Sequence, residues 1–123
     1  MKETTRRWLQ TAENDLAVAR IAHENGFYNQ CVFHCQQAVE KVLKAIWIER
    51  LGQTHPKTHN LAFLAIQLDL DVSDERLTLL QDLAEQYLPS HYADLEVEYP
   101  EEESSEYLSL STETFHWLRQ LLS

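Results

Sequence analysis

The longest unbroken apolar periodicity in the chain runs from Phe27 to Leu51, between Gly26 and Gly52, the only two glycines present. On a helical wheel Tyr28, Val32, Cys35, Val39, Leu43 and Ile46 form one stripe. Cys31, Ala38, Val42 and Ala45 widen it into a broad apolar arc. A helix of this length is about 37 Å long, enough to cross a small domain. Its opposite face carries His34, Gln37, Glu40, Lys41 and Lys44. Phe33, Trp47 and Ile48 interrupt that polar face. The pattern therefore predicts a central helix with neighbours on more than one side.

Around it the same periodicity marks four more helices. Trp8, Ala12, Leu16, Ala19 and Ala22 predict a first helix over residues 3–25, capped by Thr4 or Thr5 and stopped at Asn25-Gly26. The short connection that follows predicts an antiparallel hairpin with the central helix. Pro56 prevents the central helix from continuing, and Leu61, Leu64, Ala65 and Leu68 predict a third helix from about Asn60 to Leu70. Ser73 caps a fourth, with Asp74 and Glu75 in its first turn and Leu77, Leu80, Leu83 or Ala84, and Tyr87 on its apolar face. Pro89 ends it, and residues 89–103 read as a loop packed by Leu95, Val97 and Tyr99. Ser104 and Ser105 start a last helix whose inner face is Tyr107, Leu108, Ser111, Phe115, Leu118 and Leu122. Alternating β-branched runs of useful length are absent. The expected architecture is all-α: one domain over residues 1–123, a single five-helix up-and-down bundle with a long central second helix.

Composition narrows the function classes. At 123 residues, such a domain buries about two-thirds of its unfolded surface. The formal net charge of −10 repels nucleic acid at long range, so only a locally basic groove is expected to accept RNA or a nucleotide. No stretch approaches the roughly 20 apolar residues of a membrane span, and the first ten residues lack the apolar region of a secretory signal. A cytoplasmic location without membrane contact is expected. Cys31 and Cys35 lie one helical turn apart, a spacing that strains a disulfide, and are expected to be reduced and buried. With His34 they supply at most three ligands and none of the usual zinc spacings, so no metal and no cofactor are expected. His55 and His59 are four apart, but Pro56 lies between them and the HExxH glutamate is missing, so loop and cap roles are favoured. The acidic run from Asp94 to Glu106 reads as a solvated approach to a helix N-terminus, with a docking surface for a basic partner as its functional alternative.

The central helix also carries a motif. Phe33, His34, Gln36, Gln37, Ala38, Glu40, Lys41, Lys44 and Ala45 stand in this order along it, the last six spelling Gln-Ala-x-Glu-Lys-x-x-Lys-Ala. This run resembles the signature of HEPN domains (higher eukaryotes and prokaryotes nucleotide-binding). The preceding AENDLAVARIAHENGFYNQC looks like that family's first helix and hairpin, and His59-Asn60-Leu61 is similar to the His-x-Leu opening its third helix. Tyr87 and Tyr92 match its aromatic-rich fourth-helix end. The resemblance implies a five-helix bundle, commonly a homodimer, often encoded beside a minimal nucleotidyltransferase in toxin–antitoxin-like pairs.

It also implies two lines of chemistry. Some HEPN domains are metal-independent ribonucleases that use Arg-x(4–6)-His, the arginine holding phosphate and the histidine moving a proton. At the expected place this chain has His91-Tyr92-Ala93, with no arginine. The spacing recurs only in Arg50 to His55, after the central helix and with Leu51 behind the arginine. A non-catalytic, dimeric binding module is therefore the first expectation, with a ribonuclease working through Arg50 and His55, or through His91 on a basic partner surface, as its rival. Lys41, Lys44, Lys57 and His59 are the candidates for binding a nucleotide or RNA. Phe33, Trp47 and Ile48 are the candidates for an interface.

Overall fold

The computed structural model describes residues 1–52, 54–87, 90 and 98–122. Among them are five helices: α1 (Glu3–Glu24), α2 (Tyr28–Leu51), α3 (Leu61–Gln67), α4 (Asp74–Glu85) and α5 (Glu101–Gln120). No strand occurs among the described residues. α2 is the hub. It packs most extensively along α1, then along α5, while α3 and α4 pair with each other and close the remaining side. Its apolar arc, including Val32, Val39, Val42, Leu43 and Ile46, is fully buried. Leu9 and Leu16 of α1, Leu61 and Leu64 of α3, Leu80 and Leu83 of α4, and Phe115 and Leu118 of α5 complete the core. Each fully buried aliphatic side chain of this kind contributes about 1.5–3 kcal/mol.

The ends of the helices show where local chemistry sets the boundaries. Gly52 takes the left-handed conformation at φ 63° and its N–H donates to the Ile48 carbonyl, closing α2 where the sequence places its stop. Asn60 and Ser73 cap α3 and α4, their side chains accepting from the N–H groups of Phe63 and Arg76. α3 is shorter than the sequence pattern predicts: it ends at Gln67, and Asp69 turns the chain at φ 55°.

α1 starts at the predicted residue, but its predicted cap and the predicted start of α5 are corrected. α1 begins at Glu3 behind Lys2, and neither Thr4 nor Thr5 caps it. Thr5 is buried instead and donates to Glu49 Oε1 at 2.9 Å, while the Lys2 ammonium donates to the Ile48 carbonyl at 3.1 Å. The start of α1 is thus tied to the end of α2. α5 begins at Glu101 after Pro100, three residues before Ser104, with Glu101, Glu102 and Glu103 in its first turn where the helix dipole favours acids. Ser104 is buried and its hydroxyl meets His23 Nδ1 at 2.9 Å. Of the expected loop, Leu95 and Val97 lie outside the described residues. Tyr99 is buried, its hydroxyl donating to Gln86 Oε1 at 2.6 Å.

The polar face of α2 is also corrected. Glu40 and Lys44 are 3% and 6% exposed, and Gln36 is fully buried. α1 and α3 pack across the face that the wheel assigns to water.

Candidate functional site: a buried polar chain ending at His59

Residues four apart on a helix lie one above the other, so Gln36, Glu40 and Lys44 form one column on α2. Glu40 is its centre. Its Oε1 accepts from Gln36 Nε2 at 3.0 Å and meets His59 Nδ1 at 2.7 Å, and its Oε2 accepts from Lys44 Nζ at 3.1 Å. Gln37 extends the column by donating to Gln36 Oε1 at 2.6 Å. Desolvating a carboxylate is costly, and three donors offset that cost here. The Lys44 ammonium also sits 5.9 Å from the centroid of the Trp8 ring, which meets the His55 ring in a T-shaped pair at 4.6 Å between centroids.

A second cluster ties α1 to α2. Asp15 accepts from Lys41 Nζ at 2.6 Å through Oδ2 and faces His34 Nδ1 at 2.7 Å through Oδ1. Burial works to raise the Asp15 carboxyl, but the hydrogen bonds from His34 and Lys41 outweigh it and hold the group below its ordinary value.

The column surfaces at His59. Asn60, the α3 cap, fixes the backbone there, and the His59 side chain remains 49% exposed. Its ring stacks on Tyr87 just beyond α4, with centroids 3.7 Å apart and planes 14° from parallel. Phe33 lies behind, 6.2 Å from the Tyr87 ring. His59 and Tyr87 border a groove of about 760 Å³ with Asn60, Gln81, Ala84 and Glu85.

The candidates from the sequence fall into three groups. Lys41, Lys44 and His59 are drawn into these networks, and the two ammonium groups are engaged by Asp15 and Glu40. Lys57 is exposed and joins neither network. Arg50 is exposed in the last turn of α2, whereas His55 is half-buried against Trp8 with Nδ1 3.2 Å from the Pro56 carbonyl oxygen. Among the described residues no hydrogen bond or ion pair joins Arg50 to His55, and His91 lies outside the described residues. His55 lines a different groove, with Lys2, Trp8 and Thr54.

The proposed interface residues also separate. Ile48 is only 9% exposed, packed under the α1 start, so an intrachain contact accounts for it. Trp47 is half-buried against the core with its Nε1 buried and without a partner among the described residues. Phe33 is half-buried.

Cys31 and Cys35 are free thiols and fully buried. The hydrogen bond with Cys31 and burial push the Cys35 thiol up, and His34 turns its Nδ1 to Asp15.

Asp15, Gln36 and Tyr87 are the members that sequence reasoning missed in this role. A signal existed for the first: Asp15 stands three after Ala12 and four before Ala19, inside the apolar stripe of α1. An acid there needs a buried partner.

Comparison with known proteins places this arrangement. The HEPN domain family model matches residues 5–121. The chain belongs to the HEPN domain family. Two solved structures share the fold across essentially the whole length. TT1696 from Thermus thermophilus is 27% identical with a TM-score of 0.84, covering 97% of this chain and 98% of its own. ST0689, described as an archaeal HEPN homologue, is 26% identical with a TM-score of 0.78, and the match covers 100% of both chains. No curated protein matches the chain. Within this HEPN bundle, the motif residue Lys41 ties α2 to α1 through Asp15, Glu40 meets His59 ahead of α3, and Gln36, Gln37 and Lys44 support Glu40 from within α2. Among the described residues no helix is long and apolar enough to cross a membrane.

Proposed function

We propose that residues 1–123 act as one unit, a non-catalytic HEPN binding module. It forms a homodimer in the cytoplasm, pairs with a minimal nucleotidyltransferase in a toxin–antitoxin-like system, and receives nucleotide or RNA beside His59. One observation carries the non-catalytic part: the two candidate lysines on α2 are already engaged. Lys41 is held by Asp15 and Lys44 by Glu40, and Arg50 is not joined to His55. A ribonuclease needs an arginine on the phosphate and a histidine within hydrogen-bond reach of the proton it moves. The shaped groove at His59 favours recognition over bond cleavage. Phe33 and Trp47 are the side chains of the sequence-derived set that retain surface for a partner.

Light scattering on the purified chain, alone and co-expressed with a minimal nucleotidyltransferase, tests the assembly. A dimer that co-elutes with the enzyme is expected. A monomer that captures nothing overturns the reading. RNA incubated with the protein in EDTA should stay intact, and cleavage lost in His55→Ala would replace the module with a metal-independent ribonuclease.

A further inference from the structure

The composition of the groove beside His59 sets it apart from a phosphate site. None of its six lining residues is a lysine or arginine, and Glu85 is exposed on its wall. A phosphate entering it meets a carboxylate with no cation to offset the repulsion. What the groove does offer is a set of groups suited to hydroxyls. Glu40 faces His59 Nδ1 at 2.7 Å, a geometry that places a proton on Nδ1 and, in the neutral tautomer, leaves Nε2 as an acceptor. That tautomer is fixed from below, because Gln36 and Lys44 hold the Glu40 carboxyl in place. No second hydrogen bond reaches the His59 ring among the described residues. Asn60 uses its Oδ1 on the Phe63 N–H at 3.0 Å and keeps its amide N–H donors. Gln81 and Glu85 make no side-chain hydrogen bond or ion pair among the described residues. The groove therefore pairs two acceptors, His59 Nε2 and the Glu85 carboxylate, with the amide donors of Asn60 and Gln81.

We propose that this groove binds the vicinal 2′,3′-diol of a ribose, carried by a free nucleoside or by an RNA 3′ end. One hydroxyl donates to His59 Nε2 and the other to the Glu85 carboxylate, the amides donate back, and phosphates stay outside. This rests on the nucleotide or RNA part of the function proposed above, and sharpens it from phosphate to sugar.

The test is a nuclear magnetic resonance titration of isotope-labelled protein with four probes at up to millimolar concentration. These are adenosine, 2′-deoxyadenosine, and a short oligoribonucleotide ending in either a 3′-hydroxyl or a 3′-phosphate. Adenosine and the 3′-hydroxyl oligonucleotide should move the backbone amides of Asn60, Gln81 and Glu85. Loss of one hydroxyl should weaken binding about tenfold, and Glu85→Ala, at an exposed position, should weaken adenosine by a similar factor. The 3′-phosphate should abolish the response. Response to the oligonucleotide alone identifies the RNA terminus as the source, and response to both shows that a nucleoside suffices. Equal binding of 2′-deoxyadenosine or of the 3′-phosphate form overturns the diol assignment while leaving nucleotide binding standing, as does unchanged affinity in Glu85→Ala. Silence with all four probes overturns both.

Discussion

Lys44→Met isolates the electrostatic part of the buried column, because methionine keeps the apolar stem against Trp8 and removes the ammonium. The Glu40 and Lys44 side chains are only 4% and 7% exposed, so water cannot replace the lost partner. Removing one member of a buried ion pair costs about 3–5 kcal/mol. Here Glu40 keeps Gln36 and His59 on Oε1, which brings the expected cost to about 2–3 kcal/mol. Loss of the cation over the Trp8 ring adds about 0.5–1 kcal/mol. The sum, about 3 kcal/mol, is a large share of the roughly 6–18 kcal/mol expected for a domain of this size. It corresponds to a fall in Tm of about 10 °C. Urea unfolding followed by circular dichroism should show a lower midpoint at unchanged slope. Glu40→Leu should also be costly, since it strands Lys44, Gln36 and His59. The double variant should cost at least about 1 kcal/mol less than the two singles added, because the second substitution removes a charge already left without its partner. A Lys44→Met cost below about 0.5 kcal/mol, or strict additivity, would refute the claim that the pair is a coupled buried unit.

Two further outcomes follow from single positions. Asp15→Asn should cost about 2 kcal/mol at neutral pH, because two hydrogen bonds to a charged carboxylate are weakened together. The Asp15 carboxyl is depressed in the folded state, so its contribution is complete above about pH 4, the unfolded value, and fades as pH falls through the lower folded one. The gap between wild type and Asp15→Asn in urea melts should therefore narrow at acid pH, and a gap that widens would contradict the assignment. Gly52→Ala should cost about 1–2 kcal/mol through its positive φ, seen as a lower Tm. The added Cβ would lie 3.1 Å from the Lys2 ammonium, a mobile tip that can withdraw, so backbone strain should account for most of the loss.

Periodicity made the helices legible because each has a stripe to bury, and most positions of the α2 stripe and the arc around it are fully buried. Boundaries were less legible where a cap is set by something other than a serine or threonine. The start of α1 depends on Lys2 and Glu49, 47 residues apart, a contact that no local pattern announces. The site was half legible. The motif picked out Glu40, Lys41 and Lys44, yet a wheel places them on a wet face, since it counts polar residues as exposed. Their burial depends on α1 and α3 crossing that face, which is tertiary information. Phe33, Trp47 and Ile48 follow from the same crossing: they looked anomalous on a polar face because that face is itself largely covered.

The buried column also explains how a seven-residue helix keeps a fixed seat. Helices this short are not stable alone, so α3 depends on what holds it to α2. Leu61 and Leu64 bind it to the core without direction, since apolar contacts tolerate small rotations. The His59–Glu40 bond supplies direction, because a hydrogen bond weakens steeply when misaligned. Glu40 can serve as that anchor only while Gln36 and Lys44 fix its other lone pairs. A leucine at Glu40 with a methionine at Lys44 would therefore retain much of the stability and lose the orientation of His59 against Tyr87. On this account the polar column contributes less to the depth of the native state than to the geometry of the groove that opens above it.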